Sequence, residues 1–334
     1  MTTQPEYPPY TLPAEANDII ELVHAHQKFL IVGHLRPDGD CFGSCLGLYE
    51  ALRLLGKQVR FFTAGPLPES FAYLPHFDKT ETTLPPADQF DATIYVDTAD
   101  ENRVFQGHQA QGLSAVIDHH ISNSRYATHN WVDDAATSAA EMVYHFVKAL
   151  GVDITPEIAT CLYTGQMTDT GGFRFGNTSE MTFRVASHLV ASGANPAFIA
   201  EKVWDSRSPA NVKISALVLS TLNYEFDGHF VWNEVTQAMM DETGNRDAEP
   251  EGLSSEMRSI AGVDIAVLFY QTKEDYCRIG FRSRGDLNVS QLASLLNGGG
   301  HRNASGALVM QPYPQAKSHA LQVIREYLTT HYAG

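Results

Sequence analysis

Cysteine is scarce in this sequence of 334 residues, and the four cysteines do not form a recognisable framework. They stand at Cys41, Cys45, Cys161 and Cys277, in apolar surroundings and without a Cys-x-x-Cys pair. A disulfide scaffold or a structural zinc site would need paired or closely spaced thiols. We therefore expect reduced cysteines in a hydrophobic core and a cytoplasmic protein.

Basic residues are also few, because 23 Lys and Arg stand against 39 Asp and Glu, and the formal net charge is −16. Non-specific binding to long DNA or RNA depends on Lys and Arg that displace counterions from the phosphates. This composition argues against a long nucleic acid as partner. It is compatible with short anionic substrates, provided that metal ions and a local cluster of positive groups bind them.

Long apolar runs are missing too, since no stretch approaches the roughly 18 residues of a membrane span. We expect no membrane partner. The opening residues, MTTQPEYPPYTLPAEANDII, do not combine basic residues with an apolar run. Residues 1–19 are therefore expected to be a loose lead-in rather than a targeting signal.

The first part of the chain alternates short β-branched runs with longer amphipathic stretches, which is typical of a parallel sheet flanked by helices. Strands are predicted at 28–33, 58–62, 92–96 and 114–117, and helices at about 41–56, 136–150, 155–168, 178–192 and 208–222. Residues 20–192 are predicted to form this α/β domain, and residues 193–222 a helical connector.

The remaining residues, 223–334, are predicted to form a smaller α+β domain. Strands are expected within 228–235, 264–271, 276–283 and 306–311, and helices near 252–260, 288–297 and 314–330. The acidic stretch DETGNRDAEPEG is most simply a solvated loop. We expect the active site in a cleft between the two domains.

Acidic and imidazole side chains follow the ends of four buried elements in the first domain. They are His34, Asp38 and Asp40 after the first strand, Asp97 after the third, Asp118, His119 and His120 at the end of the fourth, and Asp169 at the end of an apolar helix. Ligands of open α/β sheets bind at the carboxyl ends of the strands. A simpler interpretation, in which Asp40 caps the following helix and His34 is merely exposed, accounts for only one of the acids.

A mixed set of carboxylates and imidazoles suits Mn²⁺, Mg²⁺ or Co²⁺ better than a structural zinc site. Six such ligands are too many for one catalytic ion that must keep positions open. They fit two ions about 3.5–4 Å apart that share a carboxylate and a water. The sequence therefore predicts two divalent cations as cofactors, with manganese first and magnesium or cobalt as alternatives.

The segment GFRSRGDLNVSQLASLLNGGGHRNASGA carries the positive groups that the acidic average hides: Arg282, Arg284, His301 and Arg302. Its three consecutive glycines are compatible with a flexible turn after a helix. They are equally compatible with backbone N–H groups that approach an anion closely. Arg282, at the end of a predicted strand, can form paired hydrogen bonds with a phosphate.

The motifs HLRPDGD, VDT, DHH and TDTG, in this order, resemble those of the DHH phosphoesterase superfamily, and GGGHRNASG resembles the DHH-associated C-terminal domain. The resemblance spans roughly residues 20 to 330. Length and layout most resemble the branch of bifunctional nanoRNases and 3′-phosphoadenosine 5′-phosphate phosphatases.

The resemblance implies a role for individual residues. One ion would be held by His34, Asp38 and Asp97, and the other by Asp40, Asp97, His119 and Asp169, with Asp97 bridging. His120 would contact the scissile phosphate without binding a metal, and Asp118 would orient a histidine. The substrate would be bound by Arg282, Ser283, Gly299, Gly300 and His301, whereas Arg284 and Arg302 match less clearly. Cys41 and Phe42, where family members often carry small residues, are interpreted as packing residues.

The activity so implied is metal-dependent hydrolysis of RNA of two to about five nucleotides to mononucleotides, and of 3′-phosphoadenosine 5′-phosphate to AMP, by a cytoplasmic protein that could be a homodimer. One alternative is hydrolysis of linear or cyclic dinucleotides in second-messenger turnover. Another, from a different class, is a catalytically silent protein that senses nucleotides. The complete ligand set argues against the silent protein.

Overall fold

The computed structural model describes residues 10–245 and 252–333. The chain divides into two units, Met1–Ser206 and Arg207–Gly334. The strands of the first unit are β1 Lys28–Val32, β2 Gln58–Phe62, β3 Thr80–Glu81, β4 Ala92–Val96, β5 Ser114–Asp118 and β6 His129–Val132. Its α-helices are α1 Ala14–Ala25, α2 Gly39–Leu54, α3 Ala139–Ala149, α4 Pro156–Asp169, α5 Glu180–Ala191 and α6 Pro196–Trp204.

The six strands of the first unit form one sheet in the order β3-β2-β1-β4-β5-β6. Every neighbouring pair in it is parallel. The order of connection reverses between β1 and β4, which are neighbours although 59 residues separate the end of β1 at Val32 from the start of β4 at Ala92. At such a reversal the two following loops diverge and leave a crevice at the carboxyl ends of the strands.

The apolar composition of the strands follows from burial on both faces of the sheet. In β1, Phe29 and Ile31 belong to the core that helices α1 to α5 cover. Leu30 and Val32 face the opposite way, into a smaller cluster completed by Val104 and by half-buried aromatic residues of the connecting loops. The sheet therefore lies between a helical layer and a layer of loops and short turns.

Helices α2 and α4 approach each other closely because glycines recur every fourth residue of α2, on one face of the helix. They are Gly39, Gly43 and Gly47. A β-carbon on Gly43 would lie 2.4 Å from the carbonyl oxygen of Cys161, and one on Gly39 would lie 2.5 Å from the side chain of Thr168. This close packing brings the start of α2 to the end of α4.

The second unit contains a six-stranded mixed sheet in the order β11-β12-β10-β9-β8-β7. Its strands are β7 Asn223–Glu225, β8 Phe230–Val235, β9 Ile265–Gln271, β10 Cys277–Ser283, β11 Gly299–His301 and β12 Ala304–Val309. Its helices are α7 Pro209–Leu219, α8 Gln237–Thr243, α9 Leu253–Arg258, α10 Val289–Ser294 and α11 Tyr313–Ala333. Among the strand pairs that the structure describes in this sheet, only β8 and β9 are parallel, and alternate residues of β9 pack into two separate cores.

The predicted fold class, a parallel-sheet domain with flanking helices followed by a smaller α+β domain, is confirmed. Two of the predicted boundaries need correction. Helix α1 begins at Ala14 and buries Ala16 and Ile19, so residues 14–19 belong to the core and not to a loose lead-in. Residues 1–9 lie outside the described part.

The predicted connector at 193–222 is divided between the units. Helix α6 packs into the first core through Ile199. Helix α7 packs into a core of the second unit through Ile214 and Val218. The acidic stretch predicted as a loop begins inside α8, whereas residues 246–251 lie outside the description. Over the residues that the structure describes, no helix combines the length and apolar character required to cross a membrane.

Candidate metal centre

The centre begins at the carboxyl ends of β1 and β4, where the strand order reverses. His34 follows β1 and Asp97 follows β4, and both are buried, each with 3% of its surface exposed. The ring nitrogen Nε2 of His34 lies 3.5 Å from Oδ2 of Asp97. Two residues far apart in sequence therefore meet because their strands are adjacent.

Asp97 combines an unusual backbone with an unsatisfied side chain. Its φ of 56° lies in the left-handed region, which few residues other than glycine, asparagine and aspartate adopt. Its Oδ1 is buried and accepts no hydrogen bond within the described residues. That oxygen lies 3.6 Å from both Nε2 of His119 and Nδ1 of His120, so one oxygen of the carboxylate faces His34 and the other faces the two adjacent histidines. A residue in this strained state is typical of a functional site.

Asp40 is fixed by backbone groups of another helix. Its Oδ2 accepts the N–H of Ala139 at 2.7 Å, and its Oδ1 accepts the N–H of Ala140 at 2.9 Å. Both amides belong to the first turn of α3, whose positive end favours a carboxylate. Each oxygen keeps a further lone pair. Oδ2 also lies 3.6 Å from Nε2 of His119.

Asp169 is the last residue of α4, where the helix dipole disfavours a negative charge. Its Oδ2 lies 3.6 Å from Nε2 of His119. Nε2 of His119 is thus equally distant from Asp40, Asp97 and Asp169. Ligand atoms that share one ion at about 2.1 Å are separated by about 3–3.5 Å, so this spacing nearly matches a shared cation.

Asp38 occupies the rim of the centre. It is the N-cap of α2, and its Oδ1 accepts the N–H groups of Asp40 and Cys41, both at 3.1 Å. The same oxygen lies 3.7 Å from Nε2 of His34, and the side chain is 64% exposed. The interpretation that Asp40 caps this helix is wrong, because Asp38 does so.

His120 is held differently from His119. Its Nδ1 lies 2.8 Å from Oδ1 of Asp118, a fully buried carboxylate at the end of β5. Oδ2 of Asp118 accepts the side-chain N–H of Asn123 at 2.6 Å. Nδ1 of His119 instead lies 3.4 Å from the carbonyl oxygen of Ala136. The histidine that Asp118 contacts is therefore His120.

The electrostatics of the site indicate a missing positive charge. Burial raises the pKa of Asp169 to about 7; His119 opposes this rise, and the nearby carboxylates add to it. Burial, with Asp97 and Asp169, raises the pKa of Asp40 well above its usual range. Asp97 is held well below its usual pKa, because attraction from His119 and His34 outweighs the effect of burial. The carboxylates of Asp40, Asp97 and Asp169 thus repel one another at this site.

The donor set fits divalent cations. Within the described residues, three groups have ligand atoms within 4.8 Å of one another: His34 with Cys41 and Asp97, Asp97 with His119 and His120, and Asp40 with His119 and Asp169. Asp97 belongs to two of them and has an orphaned buried oxygen. Cations beside Asp97 would satisfy this oxygen and offset the repulsion between the carboxylates.

The predicted substrate residues lie in the second unit. Arg282, in β10, donates from Nη1 to the carbonyl oxygen of Phe281 at 2.9 Å. Ser283 is buried; its hydroxyl donates to the carbonyl oxygen of Leu287 at 2.7 Å and accepts from the side chain of Asn303 at 2.9 Å. Ser283 thus holds the following turn, and its contact with substrate stays a prediction. Arg302 pairs with Asp286, as expected for a surface charge.

The glycine segment is a strand and not a flexible turn. Gly299 and Gly300 pair with Gly306 and Ser305 in a short hairpin. A β-carbon on Gly300, whose φ is 138°, would lie 2.7 Å from the carbonyl oxygen of Ala304. Gly299 has open space at its Cα, which is compatible with an anion nearby. His301 ends the strand, and its side chain lies outside the described part.

Sequence reasoning missed several contributors to the centre. The amides of Ala139 and Ala140 carry no side-chain signal, and Asn123 is one polar loop residue among many. Cys41 was interpreted as a packing residue although its sulfur belongs to one of the three groups. The four-residue spacing of Gly39, Gly43 and Gly47 was a readable signal of helix contact.

The family model "DHH family, N-terminal domain" matches residues 28–166, and that of the DHHA1 domain matches residues 234–330. The bifunctional oligoribonuclease and PAP phosphatase NrnA of Thermus thermophilus is 34% identical over 304 residues, which cover 90% of either chain. The chain belongs to the DHH family. The sequence-based resemblance is confirmed, and with it the expectation of a phosphoester hydrolase that uses divalent cations.

Two solved structures share the DHH fold with this chain. A Bacteroides fragilis exopolyphosphatase-related protein has a TM-score of 0.86 at 24% identity, with 97% of this chain and 98% of that chain covered. RecJ of Thermus thermophilus, crystallised with Mn²⁺, has a TM-score of 0.54 at 14% identity, with 95% of this chain and 56% of RecJ covered. The roles assigned to individual residues stay predictions.

Proposed function

We propose that this DHH protein hydrolyses RNA of two to about five nucleotides to mononucleotides, and also 3′-phosphoadenosine 5′-phosphate to AMP. The observation that carries the proposal is the position of Asp97, whose two oxygens face His34 and His119 in two clusters of ligands. The 34% identity over 90% of the chain to an enzyme named for both activities supports the choice of substrates.

The metal ligands we propose are those of the sequence analysis: His34, Asp38 and Asp97 for one ion, and Asp40, Asp97, His119 and Asp169 for the other. Two divalent cations, for which we propose manganese, supply activation of water near neutral pH and offset the charge of the phosphate. The chain's own contribution is rigidity. Asp40 is fixed by the amides of α3, and Asp97 by its place after a central strand.

His120 is proposed to contact the scissile phosphate. Asp118 accepts a hydrogen bond from Nδ1 of His120 when that nitrogen carries the proton, and Asn123 holds Asp118 in turn. A ring oriented in this way can present Nε2 to the phosphate. His120 can then steady a phosphate oxygen or donate a proton to the leaving group.

The second unit is proposed to bind the part of the substrate beyond the scissile bond. Arg282 offers a planar set of donors that matches phosphate. Gly299 and Gly300 offer a backbone edge without side chains, and His301 follows them. Ser283, whose hydroxyl holds the turn that follows β10, is proposed to contribute to the same binding region.

Substrate length is proposed to follow from charge. At a net charge of −16, the surface offers little to a polymer, since each added nucleotide brings a phosphate to an acidic protein. Short substrates can contact the metal centre and Arg282 while they experience less electrostatic repulsion from the acidic surface. We further propose that the protein acts in the cytoplasm, and a homodimer remains compatible with this activity.

The test is a product profile in the presence of Mn²⁺. Labelled RNAs of two, five and about thirty nucleotides are compared with 3′-phosphoadenosine 5′-phosphate and with a cyclic dinucleotide. We expect mononucleotides from the two shorter RNAs, AMP from the nucleotide, and little turnover of the longest RNA. Equal rates on the shortest and longest RNAs would indicate a general exonuclease. Absence of turnover with Mn²⁺ bound would favour the nucleotide-sensing alternative.

A further inference from the structure

Cys41 lies inside the metal centre although no role in it was expected. It belongs to the first turn of α2 and is completely buried. A β-carbon on Gly33 would lie 2.5 Å from its sulfur, so the thiol touches the chain just before His34. Its position is set by the same close packing that places His34 at the end of β1.

The sulfur is within reach of two predicted metal ligands. A ring nitrogen of His34, the Sγ of Cys41 and a carboxylate oxygen of Asp97 all lie within 4.8 Å of one another. All three residues are at most 3% exposed. Asp97 presents Oδ2 to this position, 3.5 Å from Nε2 of His34, whereas its Oδ1, which accepts no hydrogen bond within the described chain, lies 3.6 Å from ring nitrogens of His119 and His120.

The oxygen ligand expected beside His34 is more exposed than the thiol. Asp38 is 64% exposed, and its Oδ1 already accepts two backbone N–H groups of α2. The sulfur of Cys41, in contrast, faces the buried side of the same position. An ion between His34 and Asp97 therefore has a sulfur donor on the protein side and Asp38 on the solvent side.

We propose that Cys41 is a ligand of the ion held by His34 and Asp97, which makes this position a mixed nitrogen, oxygen and sulfur site. The inference rests on the proposed two-ion centre and goes beyond it in assigning a soft donor. A thiolate favours zinc and other thiophilic divalent ions over manganese or magnesium. The affinity for Zn²⁺ relative to that for Mn²⁺ should therefore be higher at this position than at the Asp40, His119 and Asp169 position, which has hard donors.

Coordination requires the thiol to lose its proton. On binding, the S–H bond breaks, the proton passes to water, and a sulfur–metal bond forms. The step consumes no oxidant or reductant.

Cys45 is a matched control. It lies one turn further along α2 and is equally buried. A β-carbon on Gly33 would lie 3.4 Å from its sulfur, compared with 2.5 Å for Cys41. It belongs to none of the three groups of candidate ligands among the described residues. Cys41→Ser and Cys45→Ser each remove one buried thiol and leave the same number of cysteines.

The experiment loads the full-length protein with Co²⁺ and records the sulfur-to-cobalt charge-transfer band in the near ultraviolet. We expect the band in the wild type and in Cys45→Ser, and its loss in Cys41→Ser. X-ray absorption of the zinc-loaded protein should show a sulfur at about 2.3 Å, beside nitrogen and oxygen at about 2.0–2.1 Å. In competition, the preference for Zn²⁺ over Mn²⁺ should fall about tenfold or more in Cys41→Ser.

The outcomes separate this inference from the proposed function. Two bound ions per chain with only nitrogen and oxygen neighbours would overturn the role of Cys41 and leave the two-ion centre intact. Failure of the folded wild type to bind Co²⁺ would overturn both. Loss of the band in both variants would assign the effect to packing and overturn the inference. The wild-type spectra decide the question even if Cys41→Ser does not fold.

Discussion

At the scale of single residues, Asp97 combines two energetically unfavourable features. It needs a left-handed backbone, which costs conformational energy in all residues except glycine. It also keeps a buried carboxylate with one oxygen lacking a hydrogen bond in the described structure. Sequences that break local rules at one position usually do so for function. Here the strained backbone places one carboxylate beside three histidines, His34, His119 and His120.

Asp97→Asn tests whether this residue serves both ions. Asparagine has nearly the same shape and tolerates the left-handed region, so the backbone should persist. Metal content should fall from two ions per chain towards zero, and turnover should fall at least about 10³-fold. Elemental analysis of the dialysed protein and a dinucleotide assay measure the two effects. Asp78→Asn, an exposed carboxylate of the same unit, serves as control. Retention of both ions would contradict the bridging role.

The two adjacent histidines should respond differently to substitution. His119→Asn removes a nitrogen that three carboxylates surround, so metal content should fall. His120→Asn should leave metal content unchanged and reduce turnover about 10²- to 10⁴-fold, the range typical of a lost acid or base. Asp118→Asn should resemble His120→Asn because it acts through that ring. Equal loss of metal in both histidine variants would show that the division of roles is wrong.

At the scale of elements, the contact between α2 and α4 determines the precision of the centre. Asp40 lies near the start of α2 and Asp169 at the end of α4. The two residues are far apart in the sequence, so packing between the helices holds them together. Their separation depends on how closely the two helix backbones approach. Gly43 permits that approach because a side chain there would meet the backbone of α4.

Gly43→Ala should therefore disturb stability and metal binding together. A β-carbon 2.4 Å from the carbonyl oxygen of Cys161 forces the helices apart, at a cost of about 1–3 kcal/mol in the free energy of unfolding. Gly47→Ala is the matched comparison, since its β-carbon meets the side chain of Leu162, which can move. Denaturant unfolding and metal content should rank Gly43→Ala as the more damaging. The opposite ranking would locate the critical contact elsewhere.

Long elements with a clear hydrophobic pattern were predictable from the sequence. Strands β1, β2, β4 and β5 and helices α2 to α5 lie where the pattern placed them, within a few residues. Short elements with weak signals were not. Strand β6 has the sequence HNWV, and β11 consists of two glycines and a histidine, so neither shows a β-branched run. Their pairing with neighbouring strands, rather than local propensity, makes them strands.

The candidate site was predictable to a similar extent. The acids and histidines that follow the ends of predicted strands and helices are the residues that the structure brings together around Asp97. Local sequence did not show which carboxylate caps α2, or that Asp118 holds His120, since both depend on side-chain direction. The proximity of Cys41 to His34 and Asp97 was hidden for the same reason, because the sequence does not show where a buried thiol points.

At the scale of the whole molecule, the negative charge is unevenly distributed. Residues 207–334 contain eleven Lys and Arg and fourteen Asp and Glu, so most of the net charge of −16 belongs to residues 1–206. The unit with the candidate metal centre is therefore strongly acidic, and the unit with Arg282 is almost neutral. A polymer would meet repulsion mainly from the first unit.

Added salt should therefore raise the rate at which the protein hydrolyses long RNA. For a basic nuclease, added salt would lower that rate. Screening shortens the range of repulsion from about 30 Å at 0.01 M salt to about 10 Å at 0.1 M. Hydrolysis of an RNA of about thirty nucleotides should rise over this interval, whereas hydrolysis of a dinucleotide should change little. Initial rates at fixed Mn²⁺ measure both. A fall in the rate on long RNA with added salt would reveal a basic track for polymers.

Asp169 at the negative end of α4 has a consequence for how long the protein survives. The apo chain folds against the repulsion of this carboxylate and its neighbours, and a cation that binds only the folded chain repays that cost. Such binding stabilises by about 4 kcal/mol when the free ion exceeds its dissociation constant a thousandfold. Under the proposed function, a cell short of divalent metal would lose the protein itself to proteolysis, and abundance would track metal supply.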